Sequence, residues 1–118
     1  MIAIGTDILK IDRVEDVVER LGDRFMARIL APVEQEEYHA SGQPQRLLAK
    51  RFAAKEAIAK ALGTGIGRGV SGQDIVIGHD GNGAPLVTLS GGALEVATNR
   101  GGNRIELSLA DEVDYVVA

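Results

Sequence analysis

The chain has no cysteine, which removes disulfides and every thiolate metal site from consideration. Only His39 and His79 carry imidazole, so a metal bound here would be held mainly by oxygen, the ligand set of magnesium or manganese. Tryptophan is also absent, and Phe25, Tyr38, Phe52 and Tyr115 are the whole aromatic complement. Four scattered rings and an acidic total argue against a nucleic-acid partner, which would need a stacking platform or a basic face. No apolar run approaches the roughly 18 residues of a membrane span. Met1 to Gly5, followed closely by Asp7, is too short for the apolar region of a secretory signal. These absences lead to the expectation of a cytoplasmic protein with no membrane partner.

What is present suits one compact domain over residues 1–118, because domains peak at roughly 100 to 150 residues. With few aromatics the core must be built from Ile, Leu, Val and Ala. A domain this small buries a limited fraction of its surface, so self-association is expected on area grounds. The net charge of −4 hides a segregation. Residues 1–45 hold nine acids and five bases, 46–69 one acid and six bases, and 70–118 seven acids and two bases. The basic middle segment, with Glu56 as its only acid, could attract phosphates.

Hydrophobic periodicity gives a short strand at Ile2–Gly5, then a helix over residues 12–21 that Asp12 opens and Gly22 stops. A helical turn or two is expected over Arg24–Leu30, and a short helix from Ala31 to His39 with Pro32 near its first position. Residues 45–62 lack Gly and Pro and are rich in Ala, Leu, Lys and Arg, which predicts a long central helix ending at Gly63. Beyond Gly63–Gly72 the period changes to two. Strands are predicted at Asp74–Gly78 and Pro85–Ser90, joined by His79-Asp80-Gly81-Asn82-Gly83 as a hairpin. A short helix over Gly92–Asn99 and a last pair of strands, Arg104–Leu109 and Val113–Val117, complete an α+β fold: a mainly antiparallel sheet packed against the long helix.

On a helical wheel Leu47, Ala54, Ile58, Ala61 and Leu62 share one arc, while Glu56 and Lys60 lie nearly opposite. These two could be an ordinary surface ion pair, worth about 0.3 to 0.5 kcal/mol, or two functional groups leaving the buried face together. Ala49, Ala53 and Gly63 would let a ligand or another backbone come close, and Phe52 offers an apolar wall. Arg51 and Lys55 fall on the arc that should be buried, where they must snorkel to its edge or meet something anionic. The alternating glycines Gly63, Gly65, Gly67 and Gly69 close a helix instead of opening one, which disfavours Rossmann and Walker loops. They serve as a cap and turn, or bring backbone near a phosphate with Lys60 and Arg68 close by.

Gly5-Thr6-Asp7-Ile8, Arg51-Phe52-Ala53-Ala54-Lys55-Glu56-Ala57 and Lys60-Ala61-Leu62-Gly63-Thr64-Gly65 together resemble the holo-acyl-carrier-protein synthases, which are phosphopantetheinyl transferases. The likeness runs from Met1 to about Gly69, with weaker support from Leu107–Glu112 and Tyr115. Where many relatives have His in the last hairpin this chain has Asp111. The resemblance implies a magnesium-dependent transfer of phosphopantetheine from coenzyme A to a serine of an apo acyl carrier protein, releasing adenosine 3',5'-bisphosphate. It assigns Asp7 and Glu56 to the metal and Glu56 and Lys60 to catalysis. It also places Arg46, Arg51, Phe52, Lys60, Gly63 and Gly65 near coenzyme A, and Arg13, Arg24, Phe25 and Arg28 on the carrier-docking face. A homotrimer with the site between subunits is implied as well. The competing expectation is a non-catalytic module that binds coenzyme A or a nucleotide phosphate, which would need Lys60 and the glycines but not both carboxylates.

Overall fold

The computed structural model describes residues 2–102 and 104–118. The N-terminal residues 2–7 carry no strand. The first strand, β1 (Ile8–Lys10), begins three residues beyond the expected Gly5. It passes directly into α1 (Ile11–Leu21), with Lys10 rather than Asp12 at the N-cap. Gly22, at φ 59°, ends α1 and starts α2 (Asp23–Ile29), and α3 (Pro32–Ala40) follows with Pro32 in its first turn. Pro32 fits there because the first helical amide has no intrahelical partner to lose. The long helix α4 spans Pro44–Leu62, and Gly63 closes it in the left-handed conformation at φ 85°. A 3₁₀ turn at Gly72–Asp74 leads into the hairpin β2 (Ile75–His79) and β3 (Pro85–Leu89), and α5 covers Gly91–Asn99. Two short strands end the chain, β4 (Ala110–Asp111) and β5 (Tyr115–Val117).

Every pairing is antiparallel. β5 lies between β1 and β4, with Leu9 opposite Val116, while β2 and β3 pair from Ile75 opposite Leu89 to His79 opposite Pro85. The fold is therefore mixed α/β, with α4 packed against a small antiparallel sheet and the surrounding helices. The predicted strand at Arg104–Leu109 joins no ladder within the described residues. Its side chains nevertheless alternate, Ile105, Leu107 and Leu109 half-buried and Arg104, Glu106 and Ser108 exposed, which is the period of a strand.

The central helix is buried almost all round, not along one arc. Leu48, Ala49 and Ala53 join a cluster with Leu9, Ile11, Val14, Met26, Leu30 and Val116. Ala54, Ile58 and Leu62 join a second with Val70, Ile75, Ile77, Ala93 and Ala97. Alanine dominates α4 because neighbours press on several of its faces and larger side chains would not fit at native packing density.

Candidate active site

Asp7 reaches the central helix because Gly5 has no side chain. A Cβ on Gly5 would overlap the Ala57 carbonyl oxygen and stand 2.6 Å from the Ala61 amide nitrogen, so the segment leading to Asp7 lies directly on the α4 backbone. The Asp7 N–H donates to the Ala118 carbonyl at 3.0 Å and the Ala118 N–H returns to the Asp7 carbonyl at 2.9 Å, extending the β1–β5 ladder by one pair. With its backbone held on both sides, Asp7 presents its carboxylate to Lys60. The Lys60 ammonium donates to Asp7 Oδ1 at 3.0 Å and to the Thr6 carbonyl at 3.1 Å.

Glu56 stands one turn before Lys60 on α4 and is half-buried. Burial pushes its carboxyl above the ordinary carboxylate range, the negative charge of Asp7 pushes it further, and Lys60 pulls it back. Two acids separated by nearly fifty residues in the sequence thus come near enough to repel, Asp7 bonded to Lys60 and Glu56 one turn before that lysine on α4. Their mutual repulsion is what a bound cation would relieve. Among the described residues there is no group of three or more His, Cys, Asp or Glu that could hold a metal. A carboxylate pair suits magnesium, which takes one or two carboxylates and completes its shell with waters and substrate phosphates.

Gly63 and Gly65 lie just past Lys60, both at positive φ, and the N–H groups of Thr64 and Gly65 fold back onto the Ala59 carbonyl. They close the helix beside the site. Arg46 and Arg51 are engaged elsewhere. Arg46 donates to Asp111 at 2.9 Å and to the carbonyls of Glu112 and Val113, fastening the last hairpin to the start of α4. Arg51, expected beside coenzyme A, is 4% exposed and donates to Glu37 at 3.0 Å, with Glu34 at 3.7 Å. Phe52 likewise turns inward, meeting Phe25 edge to face at 5.6 Å. On the outer surface Arg13 of α1 and Arg24 and Arg28 of α2 are exposed.

Sequence reasoning missed the partner of Lys55. That ammonium is fully buried and donates to Glu34 Oε1 at 2.5 Å, the Ile29 carbonyl at 2.8 Å and the Gly72 carbonyl at 2.9 Å. Burial pulls its pKa down and the bond to Glu34 pushes it back up. A lysine on the apolar arc was the visible signal, and the anion it implied is the protein's own Glu34, an acid that looked like any other in an acidic helix. The role of Gly5 was also hidden, because a glycine ending a short apolar run reads equally well as a turn.

The model of the 4'-phosphopantetheinyl transferase superfamily matches residues 3–118. A holo-[acyl-carrier-protein] synthase of Vibrio cholerae is 52% identical over 118 residues, all of this chain and 94% of the relative. Among solved structures, the holo-[acyl-carrier-protein] synthase of Neisseria meningitidis superposes with a TM-score of 0.92 at 44% identity, covering 99% of this chain and 94% of that one. The Helicobacter pylori synthase, solved in complex with coenzyme A, gives a TM-score of 0.82 at 33% identity, covering 97% and 94%. With near-complete coverage on both sides, the chain belongs to the holo-[acyl-carrier-protein] synthases of the 4'-phosphopantetheinyl transferase superfamily.

Proposed function

We propose that Asp7, Glu56 and Lys60 form the transfer centre of this enzyme, with the two carboxylates as magnesium ligands. The reaction is that of its family: phosphopantetheine passes from coenzyme A to an apo acyl carrier protein, the step that equips the carrier for fatty-acid synthesis. The observation that supports the residue assignment is the bond of Asp7 to Lys60, one turn beyond Glu56 on α4, with the Glu56 carboxyl raised partly by Asp7. Magnesium, when bound, supplies charge neutralisation on the pyrophosphate oxygens.

The serine oxygen of the carrier forms a bond to the phosphorus that bears pantetheine. The bridging P–O bond breaks, and its electron pair leaves with adenosine 3',5'-bisphosphate. Glu56 receives the serine proton through a water, since the same carboxylate is assigned to the metal. Lys60 spends two of its three N–H donors on Asp7 and Thr6, which leaves one for the leaving phosphate. Gly65, with open space where a side chain would stand, lets the pyrophosphate approach the end of α4, and Arg46, roughly 25 Å away along the helix, is assigned to the adenosine half of a coenzyme A bound at a neighbouring subunit's site.

Arg13, Arg24 and Arg28, with Phe25 behind them, make the docking face for an acidic carrier. We further infer a cytoplasmic location and a homotrimer, the trimer supported by the exposed isoleucines Ile2, Ile4 and Ile8. Incubation with coenzyme A, magnesium and an apo carrier should add one phosphopantetheine to the carrier, read by intact mass. Glu56→Gln and Asp7→Asn should each abolish magnesium-dependent transfer, and an active Glu56→Gln variant would overturn the assignment.

A further inference from the structure

Helix α2 is short and held from below. Seven residues are too few for a helix to be stable alone, so the place of α2 is set by what grips it. The last carbonyls of a helix have no intrahelical donor and usually turn to water. Here the carbonyl of Ala27 accepts from Gln73 Nε2 at 2.6 Å, that of Ile29 from Lys55 Nζ at 2.8 Å, and that of Leu30 from Gln35 Nε2 at 2.8 Å. Three donors from three different elements thus hold the exit of one helix.

Lys55 is the centre of this arrangement, because all three of its donors are used inside the protein. Its carboxylate partner Glu34 also accepts from the amides of Ala31 at 2.9 Å and Ile77 at 3.1 Å. The pair therefore joins α2, α3, the 3₁₀ turn and β2 to α4. Gly72 fits against α2 only because it lacks a side chain, a Cβ there standing 2.8 Å from the Ile29 carbonyl oxygen. On α4, Lys55 directly precedes Glu56 and lies one turn after Phe52, which holds Phe25 of α2. The face of α2 that carries Arg24 and Arg28 is thus registered to the helix that carries Glu56 and Lys60 at two points, by residues 52 and 55.

We propose that Lys55 is a positioning residue for the transfer reaction: by locking α2 to α4 it sets where a docked carrier protein delivers its serine relative to Glu56. This rests on the assignment of Arg24 and Arg28 to carrier docking. Lys55 touches neither substrate. A buried ion pair that served stability alone would raise the melting temperature without favouring one substrate over the other, whereas a register between docking helix and site affects the carrier alone. A misplacement of about 1 Å costs on the order of a hundredfold in rate when it spoils the attack geometry.

Two variants test this. Lys55→Met combined with Glu34→Gln removes both charges of the pair, and the buried Arg51, which also lies 3.7 Å from Glu34, keeps its hydrogen bond to Glu37. Gln73→Ala removes one tether of α2 at an exposed position and leaves the buried pair intact. Below the melting temperature, kcat/KM for the carrier should fall roughly tenfold or more in the double variant and a few-fold in Gln73→Ala. The calorimetric Kd for coenzyme A should stay as in the native enzyme in both. The inference is overturned if kcat/KM for the carrier stays within about twofold of native in both variants, or if coenzyme A affinity weakens in step with it. Should the double variant not fold, Gln73→Ala decides alone. Arg24→Glu and Arg28→Glu serve as the separate check on docking: if they leave carrier KM unchanged the docking assignment itself fails, and if they raise it while the core variants do nothing, only the positioning role fails.

Discussion

At the scale of single residues the chemistry turns on how Glu56 is charged. Burial and the neighbouring Asp7 both raise its carboxyl, so the proton is held to higher pH than in an unfolded chain. The sign follows from linkage. The protonated form is comfortable in the fold, and the cost of ionising Glu56 appears as pH rises through its raised folded pKa. A cation between Asp7 and Glu56 offsets that cost only where Glu56 is ionised. Magnesium should therefore raise the melting temperature more near neutral pH than at about pH 5, close to the ordinary carboxylate range. The magnesium concentration needed for half-maximal transfer should climb as pH falls over the same interval. Glu56→Gln, which cannot ionise, should flatten the pH dependence of the thermal shift, and a shift that remains pH-dependent in that variant would place the ion elsewhere.

Among the elements, α4 does most to build both fold and site, and it also shows what the sequence could and could not disclose. Its extent was legible from the Gly- and Pro-free run and the terminating Gly63, and the hairpin from its Asp80–Gly83 turn, since these are local signals. The buried environment of Lys55 and Arg51 was legible only as a misfit on the wheel, because the acids that satisfy them, Glu34 and Glu37, lie on another helix. The strand expected at residues 2–5 is replaced by a segment that rests on α4 through Gly5, a contact made by absence of a side chain and invisible to periodicity. Of the proposed site, Glu56 and Lys60 could be paired from helical spacing alone. Asp7 could be joined to them only through the family resemblance, because no local rule predicts which strand end meets which helix. The packing of this segment on α4 leads to a prediction. Gly5→Ala drives a methyl group into the backbone of Ala57 and Ala61, where neither neighbour can yield as a flexible side chain would. Turnover should drop by about a hundredfold as Asp7 is displaced. Circular dichroism should still show a helical protein, since the disturbed segment has no regular structure of its own. Near-native turnover of Gly5→Ala would mean that Asp7 does not depend on this contact.

Over the whole molecule, charge and surface point outward to partners. The basic middle segment proves to be largely spent: Arg46 on Asp111, Arg51 on Glu37, Lys55 on Glu34 and Lys60 on Asp7. The exposed arginines of α1 and α2 therefore remain as the candidates for meeting an acidic carrier. The accessible surface of 6919 Å² exceeds the roughly 6,200 Å² expected of a compact 12.5 kDa monomer. Large apolar side chains lie open on it, with Ile2 91%, Ile4 83%, Ile8 67% and Val113 80% exposed. Ile2 and Ile4 also line a groove of about 410 Å³ with Ile58, Leu62, Ile105 and Leu107, beside a strand-like segment whose backbone joins no ladder within the described residues. An open edge next to exposed isoleucines is a surface that proteins normally cover. If neighbouring subunits cover it, the native protein should run at three times the chain mass in light scattering. Ile4→Glu, which places a charge at a largely exposed position on the rim of that groove, should then shift the protein to monomers and lower transfer activity with it. A native protein that is monomeric at assay concentrations, or an Ile4→Glu monomer with full activity, would show that the transfer centre is complete within one chain.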